Sequence, residues 1–289
     1  MRIAVVASGE MGSAIAGRLG LGGASVFTSL AGRSEASRAR AAASGIRVID
    51  DDARLIESVE IFLSVVPPAS ALAVAERFAP VLARTHGKVL FADLNAIAPA
   101  TVRGIASIIE ATGNPFVDGG IIGGPPRPGD PGPRLYVSGK AAEKFATLSE
   151  FGLDVRAVAG EIGAASALKL SYAALTKGLT ALGVAAAQGA ATAGVSAALA
   201  AELAASQPAL AALLARGMKR MYPKAHRFVG EMEEIARFLG QSPAAKIYLG
   251  AAAAYQDVAA SWQTGGIEAA LFKEIDAAFP GGLTRERAA

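Results

Sequence analysis

Residues 2–12 read Arg-Ile-Ala-Val-Val-Ala-Ser-Gly-Glu-Met-Gly, and the chain continues Ser13-Ala14-Ile15-Ala16-Gly17-Arg18-Leu19. A short apolar, β-branched run gives way to a glycine turn. Apolar residues then recur at helical spacing through Ala14, Ile15, Ala16 and Leu19. The order is strand, turn, helix. The glycines allow a tight turn, and the first N–H groups of the helix have no partner within the helix. Ala7-Ser8-Gly9-Glu10-Met11-Gly12 has the spacing of a dinucleotide-binding turn, with Ala7 at the first glycine position. Such a turn offers its helix N-terminus to a pyrophosphate.

Outward from this turn the same alternation repeats. Ala24–Ser29, Arg47–Ile49, Glu60–Val66 and Lys88–Ala92 read as strands, with helices over Ser34–Ser44, Ala69–Leu82 and Ile105–Thr112. Phe116–Asp118 begins another strand and Arg134–Ser138 is a late one. Apolar strands separated by helices imply a parallel sheet covered on both faces. Gly119–Pro133, with six Gly and five Pro, reads as an irregular loop whose backbone comes close to a ligand. From about Gly163 strand signals vanish and Ala-rich helical segments follow, broken at Gly189, Gly194, Gln207–Pro208, Tyr222–Pro223 and Ser242–Pro243. The expected fold class is an α/β Rossmann-type N-terminal domain, residues 1–160, followed by an all-α C-terminal domain, residues 161–289.

Composition narrows the function classes. The chain is 52% hydrophobic and 18% charged, with 33 Gly, no Cys and two His. Disorder needs the opposite balance. Without cysteine there is no disulfide framework, thiolate zinc site, iron–sulfur cluster or cysteine nucleophile, and two histidines leave little for a metal site. No metal is expected. The net charge of +3 is mild and its basic residues are scattered, so nucleic acid is not an expected partner. Gly178–Ala201 is uncharged and long enough to span a bilayer, but it is mostly Ala and Gly and reads as a buried helix rather than a membrane segment.

Three further features carry chemistry. Eighteen positions after Gly12, where an NAD site places an acid, stands Leu30, in Ser29-Leu30-Ala31-Gly32-Arg33-Ser34. An arginine and hydroxyls suit a 2′-phosphate, which points to NADP(H), with NAD(H) as the second option. Ser64-Val65-Val66-Pro67 and Asp93-Leu94-Asn95 follow apolar strands, and ligands of open α/β sheets sit at such carboxyl ends. Lys169 lies in the apolar helix Gly163–Tyr172, with Tyr172, Thr176 and Thr180 on its face. It is either an acid–base group or a lysine that reaches solvent along its stem, as Lys177 is expected to do.

In this order the motifs resemble the β-hydroxyacid dehydrogenase superfamily. The resemblance is greatest to the 6-phosphogluconate dehydrogenase-like subgroup with a distinct helical C-terminal domain. Lys169–Leu182 (KLSYAALTKGLTAL) and His226–Ala236 look typical of it. The resemblance implies an NADP-dependent oxidoreductase acting on a CH–OH or carbonyl substrate, with Lys169 as catalytic acid–base group. It implies a cofactor site of Ser8, Gly9, Glu10, Met11, Gly12, Ser29, Arg33, Ser34, Val66, Pro67 and Asn95. It also implies a substrate site of Ile122, Gly123, Gly124, Tyr172, Ala173, His226 and Met232, between the two domains. Asp118–Gly124 matches the family's substrate loop. Ile122 stands where the family has a serine and Ala173 where it has an asparagine, so two polar substrate contacts are missing. A cytoplasmic homodimer acting on a small molecule is expected. Imine reduction on the same scaffold and a non-catalytic NADP-binding module are the alternatives; relatives that reduce imines generally lack the lysine.

Overall fold

The computed structural model describes residues 1–6, 9–32, 34–85, 87–127 and 129–264. The chain divides into two compact units, Met1–Leu170 and Ser171–Ala289. In the first, β1 (Arg2–Val6), α1 (Glu10–Leu21), β2 (Ser25–Thr28), α2 (Glu35–Ala43), β3 (Arg47–Val48), α3 (Asp52–Glu57), β4 (Ile61–Ser64), α4 (Ala71–Leu82), β5 (Leu90–Asp93) and α5 (Pro99–Glu110) alternate. Then come β6 (Phe116–Ile122), β7 (Arg134–Ser138), α6 (Ala142–Ala146) and β8 (Asp154–Ala157). The sheet runs β3-β2-β1-β4-β5-β6-β7-β8. Its neighbours are parallel except for the antiparallel β6–β7 pair. The chain order reverses at β1, which puts the ligand crevice at the carboxyl ends of β1 and β4.

Each face of the sheet buries its own core. Ile3, Val5, Ile15, Leu19, Leu63 and Leu90 lie in one, and Phe62, Phe78, Phe91, Val102 and Phe116 in the other. Phe62, Phe91 and Phe116 are register partners on β4, β5 and β6. Their rings stack at 4.9 and 5.9 Å between centroids. Such pairs contribute about 0.5–1.5 kcal/mol each beyond area burial, which pins the register of the three strands that end at the site.

The structure departs from the sequence reading in four places. Helix α5 starts at Pro99 rather than Ile105, because Pro is at ease in the first helical turn. The short α3, capped by Asp51, and strand β8 were not anticipated. Strand β6 runs on through Gly119 and Gly120 to Ile122, so the irregular loop begins only at Gly123. Backbone pairing with β7 from Asp118↔Ser138 to Ile122↔Arg134 overrides the weak strand preference of glycine.

Helix α7 (Ala164–Thr192) begins in the first unit and continues into the second, which holds α8 (Ser196–Ser206), α9 (Pro208–Met221), α10 (Ala225–Leu239) and α11 (Ala245–Thr264). Small residues set the approach distances there. A Cβ on Gly183 of α7 would lie 2.6 Å from Leu214 of α9, one on Gly217 of α9 2.7 Å from Thr180 of α7, and one on Gly178 3.3 Å from Tyr248 of α11. By length and composition α7 could cross a membrane, yet its Gly178 and Gly183 lie against α11 and α9.

Candidate functional site

At the nucleotide turn, Gly9 is the N-cap of α1 and no side chain caps the helix. A Cβ on Gly9 would meet nothing within 4 Å, so the turn faces open space on that side. Gly12 is buried, Met11 packs on the core and Glu10 is exposed. Ser13 Oγ, one residue past Gly12, is buried with no hydrogen-bond partner among the described residues. An uncapped helix N-terminus, an open glycine and an unpaired hydroxyl fit a pyrophosphate-bearing cofactor. Ser8 and Arg33 lie outside the described residues, as does His86.

The end of β2 is built by residues the sequence did not single out. Ser29 is buried and its hydroxyl accepts a hydrogen bond from Arg77 of α4 at 3.3 Å. Arg77 is held by Asp52 in two bonds of 2.7 Å. Leu30 N donates to Asp50 at 2.7 Å, and its carbonyl accepts from Arg38 at 3.0 Å. A carboxylate therefore reaches this strand end from the β3–α3 connection, although none follows β2 in sequence. Ser34 is committed as the N-cap of α2.

Four polar residues lie in register across the sheet: Ser64, Asp93 and Ser138, each the last residue of its strand, and Asp118 within β6. All are buried. Asn95 joins the first two. Its Nδ2 donates to Ser64 Oγ and to Asp93 Oδ2, both at 2.9 Å, and its own backbone N–H donates to Asp93 Oδ1 at 3.0 Å. Its Oδ1 accepts from Val66 N at 2.6 Å. Each polar atom of the Asn95 side chain is engaged within the protein, and Val66, which precedes the exposed Pro67, is fixed by it. Burial pushes the Asp93 carboxyl up to about 7, helped by the nearby Asp118 and opposed by the bonds from Asn95.

Lys169 lies in the first unit, part-buried on the second turn of α7. Among the described residues its ammonium has no hydrogen-bond or ion-pair partner. The glycines of β6 explain how it comes so near the sheet. A Cβ on Gly119 would sit 2.3 Å from Leu94, and one on Gly120 would sit 2.7 Å from Lys169 Cβ and 3.0 Å from Ala165 O. These two glycines make room for protein rather than for ligand, unlike the expectation from sequence. Asp118, beside them, takes the N-terminus of α7. Its Oδ2 accepts from Gly163 N at 2.8 Å, Ser166 N at 3.1 Å and Ser138 Oγ at 2.9 Å, and its Oδ1 accepts from Ser166 Oγ at 2.5 Å.

Ile122, the last residue of β6, is buried and paired with Arg134. Gly123 has a φ of +129°, which only glycine tolerates without strain, and Gly124 opens onto free space. The loop beyond is tied back to the nucleotide helix, because Arg18 of α1 donates to the carbonyls of Arg127 at 3.2 Å and Asp130 at 2.7 Å. In the second unit Tyr172 and His226 are exposed, whereas Ala173 and Met232 are buried. Lys177 does not reach solvent as anticipated. It pairs with Glu231 and lies 4.1 Å from the centre of the Phe228 ring.

Comparison with known proteins agrees with this fold. Residues 2–151 match the family described as the NAD binding domain of 6-phosphogluconate dehydrogenase. Residues 190–258 match a domain of unknown function, DUF1932. An uncharacterised 28.5 kDa protein of Methanothermus fervidus is 31% identical over 182 residues, 63% of this chain and 68% of that one. A conserved protein of unknown function whose structure reveals similarity with 3-hydroxyacid dehydrogenases is 27% identical, with a TM-score of 0.70 over 92% of this chain and 100% of that one. The fold extends to a Mycobacterium tuberculosis 3-hydroxyisobutyrate dehydrogenase crystallised with L-serine, at 16% identity and TM-score 0.62 over 96% and 98%. It also extends to a Myxococcus stipitatus imine reductase with NADP+, at 21% and 0.54 over 92% and 95%.

Proposed function

The chain belongs to the family that carries the NAD binding domain of 6-phosphogluconate dehydrogenase, and from that premise we propose that it is an NADP-dependent oxidoreductase interconverting a hydroxy acid and its carbonyl. Gly9, Glu10, Met11 and Gly12 would hold the pyrophosphate, and Arg33 the 2′-phosphate. When bound, the nicotinamide supplies or takes the hydride. The observation that carries the reading is Lys169, whose stem lies against Gly120 of β6 and whose ammonium is unpartnered among the described residues, in the same unit as the nucleotide turn. Its Nζ donates a proton to the substrate oxygen in reduction and accepts one in oxidation. Asn95 acts one step back and orients Val66 and Pro67 beside the cofactor. Ile122 leaves an apolar wall where a polar contact would otherwise stand, which favours a substrate with an apolar substituent.

The protein is read as a cytoplasmic homodimer. Leu168, Tyr172, Leu175, Leu179 and Leu182 are all exposed on α7 and alternate at four and three residues, the spacing of a seam that receives another helix. A second copy of the same stripe would cover it.

The test is turnover of a panel of 3-hydroxy acids with NADP+ and NAD+, and of matched ketones and imines with the reduced cofactors, for the native chain and Lys169→Met. The expected result is oxidation of a hydroxy acid with NADP+, lost by about a hundredfold or more in the variant while NADPH affinity is kept. Equal turnover by the variant, or turnover of imines alone, would refute the lysine mechanism.

A further inference from the structure

We propose that Asp118 is a positioning residue for Lys169, acting through the N-terminus of α7. The inference rests on the reading of Lys169 above. The first turn of α7 carries the usual orphan N–H groups. Asp118 reaches them from a neighbouring strand: one carboxylate oxygen takes Gly163 N and Ser166 N, and the other takes the Ser166 hydroxyl. Ser138, its register partner on β7, completes the clamp by donating to Asp118 and accepting from Ala165 N at 3.0 Å. Lys169 is one turn beyond Ser166, on the face that meets Gly120.

Two constraints therefore fix the lysine stem. The carboxylate sets where α7 begins along its axis, and Gly120 sets how near it lies to the sheet. Asp118 and Ser166 are wholly enclosed, so water cannot replace the bonds if the carboxylate is removed. Asp118-Gly119-Gly120 is thus a docking edge for the lysine-bearing helix, with the open Gly124 left to line the site.

The experiment compares Asp118→Ala, Asp118→Asn and the milder Ser166→Ala with the native chain. The readouts are hydrogen exchange at residues 163–170, the NMR signal of labelled methyl groups placed on Lys169 (assigned with Lys169→Arg), NADPH binding, and kcat against KM for the hydroxy acid found above. In Asp118→Ala the first-turn amides should exchange about a hundredfold faster, the loss expected for buried bonds to a charged acceptor. The Lys169 signal should move, kcat should fall about tenfold or more with cofactor KM nearly unchanged, and NADPH binding should hold within about twofold. Asp118→Asn should restore most of this, because its oxygen can take the three donors at Oδ2 while its amide donates to Ser166 Oγ. Ser166→Ala should show the same pattern more weakly, and serves if the alanine variant of Asp118 does not fold. A Lys169 signal and exchange rates at native values in Asp118→Ala, or in Ser166→Ala if only that variant folds, would overturn the proposal. Full activity of Lys169→Met would instead overturn the lysine's role and leave the Asp118 clamp to be judged by exchange and NMR alone.

Discussion

Replacing Asn95 by alanine separates two roles that the sequence cannot tell apart. A residue that contacts the cofactor lowers affinity when truncated and does little to the fold. A residue that ties strand ends together does the reverse. Asn95 is 3% exposed, and truncation removes its bonds to Ser64, Asp93 and Val66 together. At about 1 kcal/mol for each neutral bond and somewhat more for the one to the Asp93 carboxyl, the expected loss is about 3 kcal/mol. With a urea slope of about 2 kcal/mol/M, the unfolding midpoint of the first unit should fall by about 1.5 M. Urea-dependent hydrogen exchange at β4 and β5 reads that unit by itself, which matters because two units need not unfold together. NADPH affinity, measured by fluorescence titration without urea, should weaken by less than about fivefold, through looser positioning of Val66. A midpoint unchanged within about 0.2 M, with NADPH affinity lost tenfold or more, would sink the reasoning and return Asn95 to direct cofactor contact.

Asp93 supplies a pH prediction. Its folded carboxyl is raised from 3.8 to about 7, so the folded state keeps a proton that the unfolded chain releases over that range. Stability should therefore fall as pH rises from about 4 to 7, by at most about 4 kcal/mol, and Asp93→Asn should flatten that slope in denaturation curves taken across the range. Gly120→Ala puts a Cβ 2.7 Å from Lys169 Cβ and 3.0 Å from a helix carbonyl. It should push α7 outward at a cost of about 1–3 kcal/mol and reduce kcat while NADPH still binds, as titration and turnover together would reveal. Leu175→Glu with Leu182→Glu places charges on the exposed stripe of α7. Sedimentation should then give half the native mass, and a native chain that is already monomeric would refute the dimer.

Much of the first unit was legible in the chain, because its signals are local. Apolar strands alternate with helical spacing, Pro and Gly mark the ends, and the glycine turn falls between β1 and α1 as its backbone chemistry requires. Lys169 stood out for a similar reason, as a charge on an apolar helix. Gly178, Gly183 and Gly217 admit close contacts of α7 with α9 and α11. What sequence order cannot carry is any arrangement made by strands far apart in the chain. The row Ser64, Asp93, Asp118 and Ser138 exists only because parallel pairing of β4, β5 and β6 and antiparallel pairing of β6 with β7 place the four residues side by side. The only trace it leaves in sequence is a polar residue closing an apolar run, as in Leu90–Asp93. Arg77 and Asp50 reach the end of β2 from a helix and a connection that the sequence places 20 or more residues away. Gly119 and Gly120 were legible as glycines but not as a docking edge, since a missing Cβ says that something comes close and only packing says what. The sequence thus determined which elements form and which residues could do chemistry, by local backbone preference and hydrophobic period. The tertiary structure decided which of those residues meet, because hydrogen bonding and exclusion of water act on distances that only the folded sheet sets.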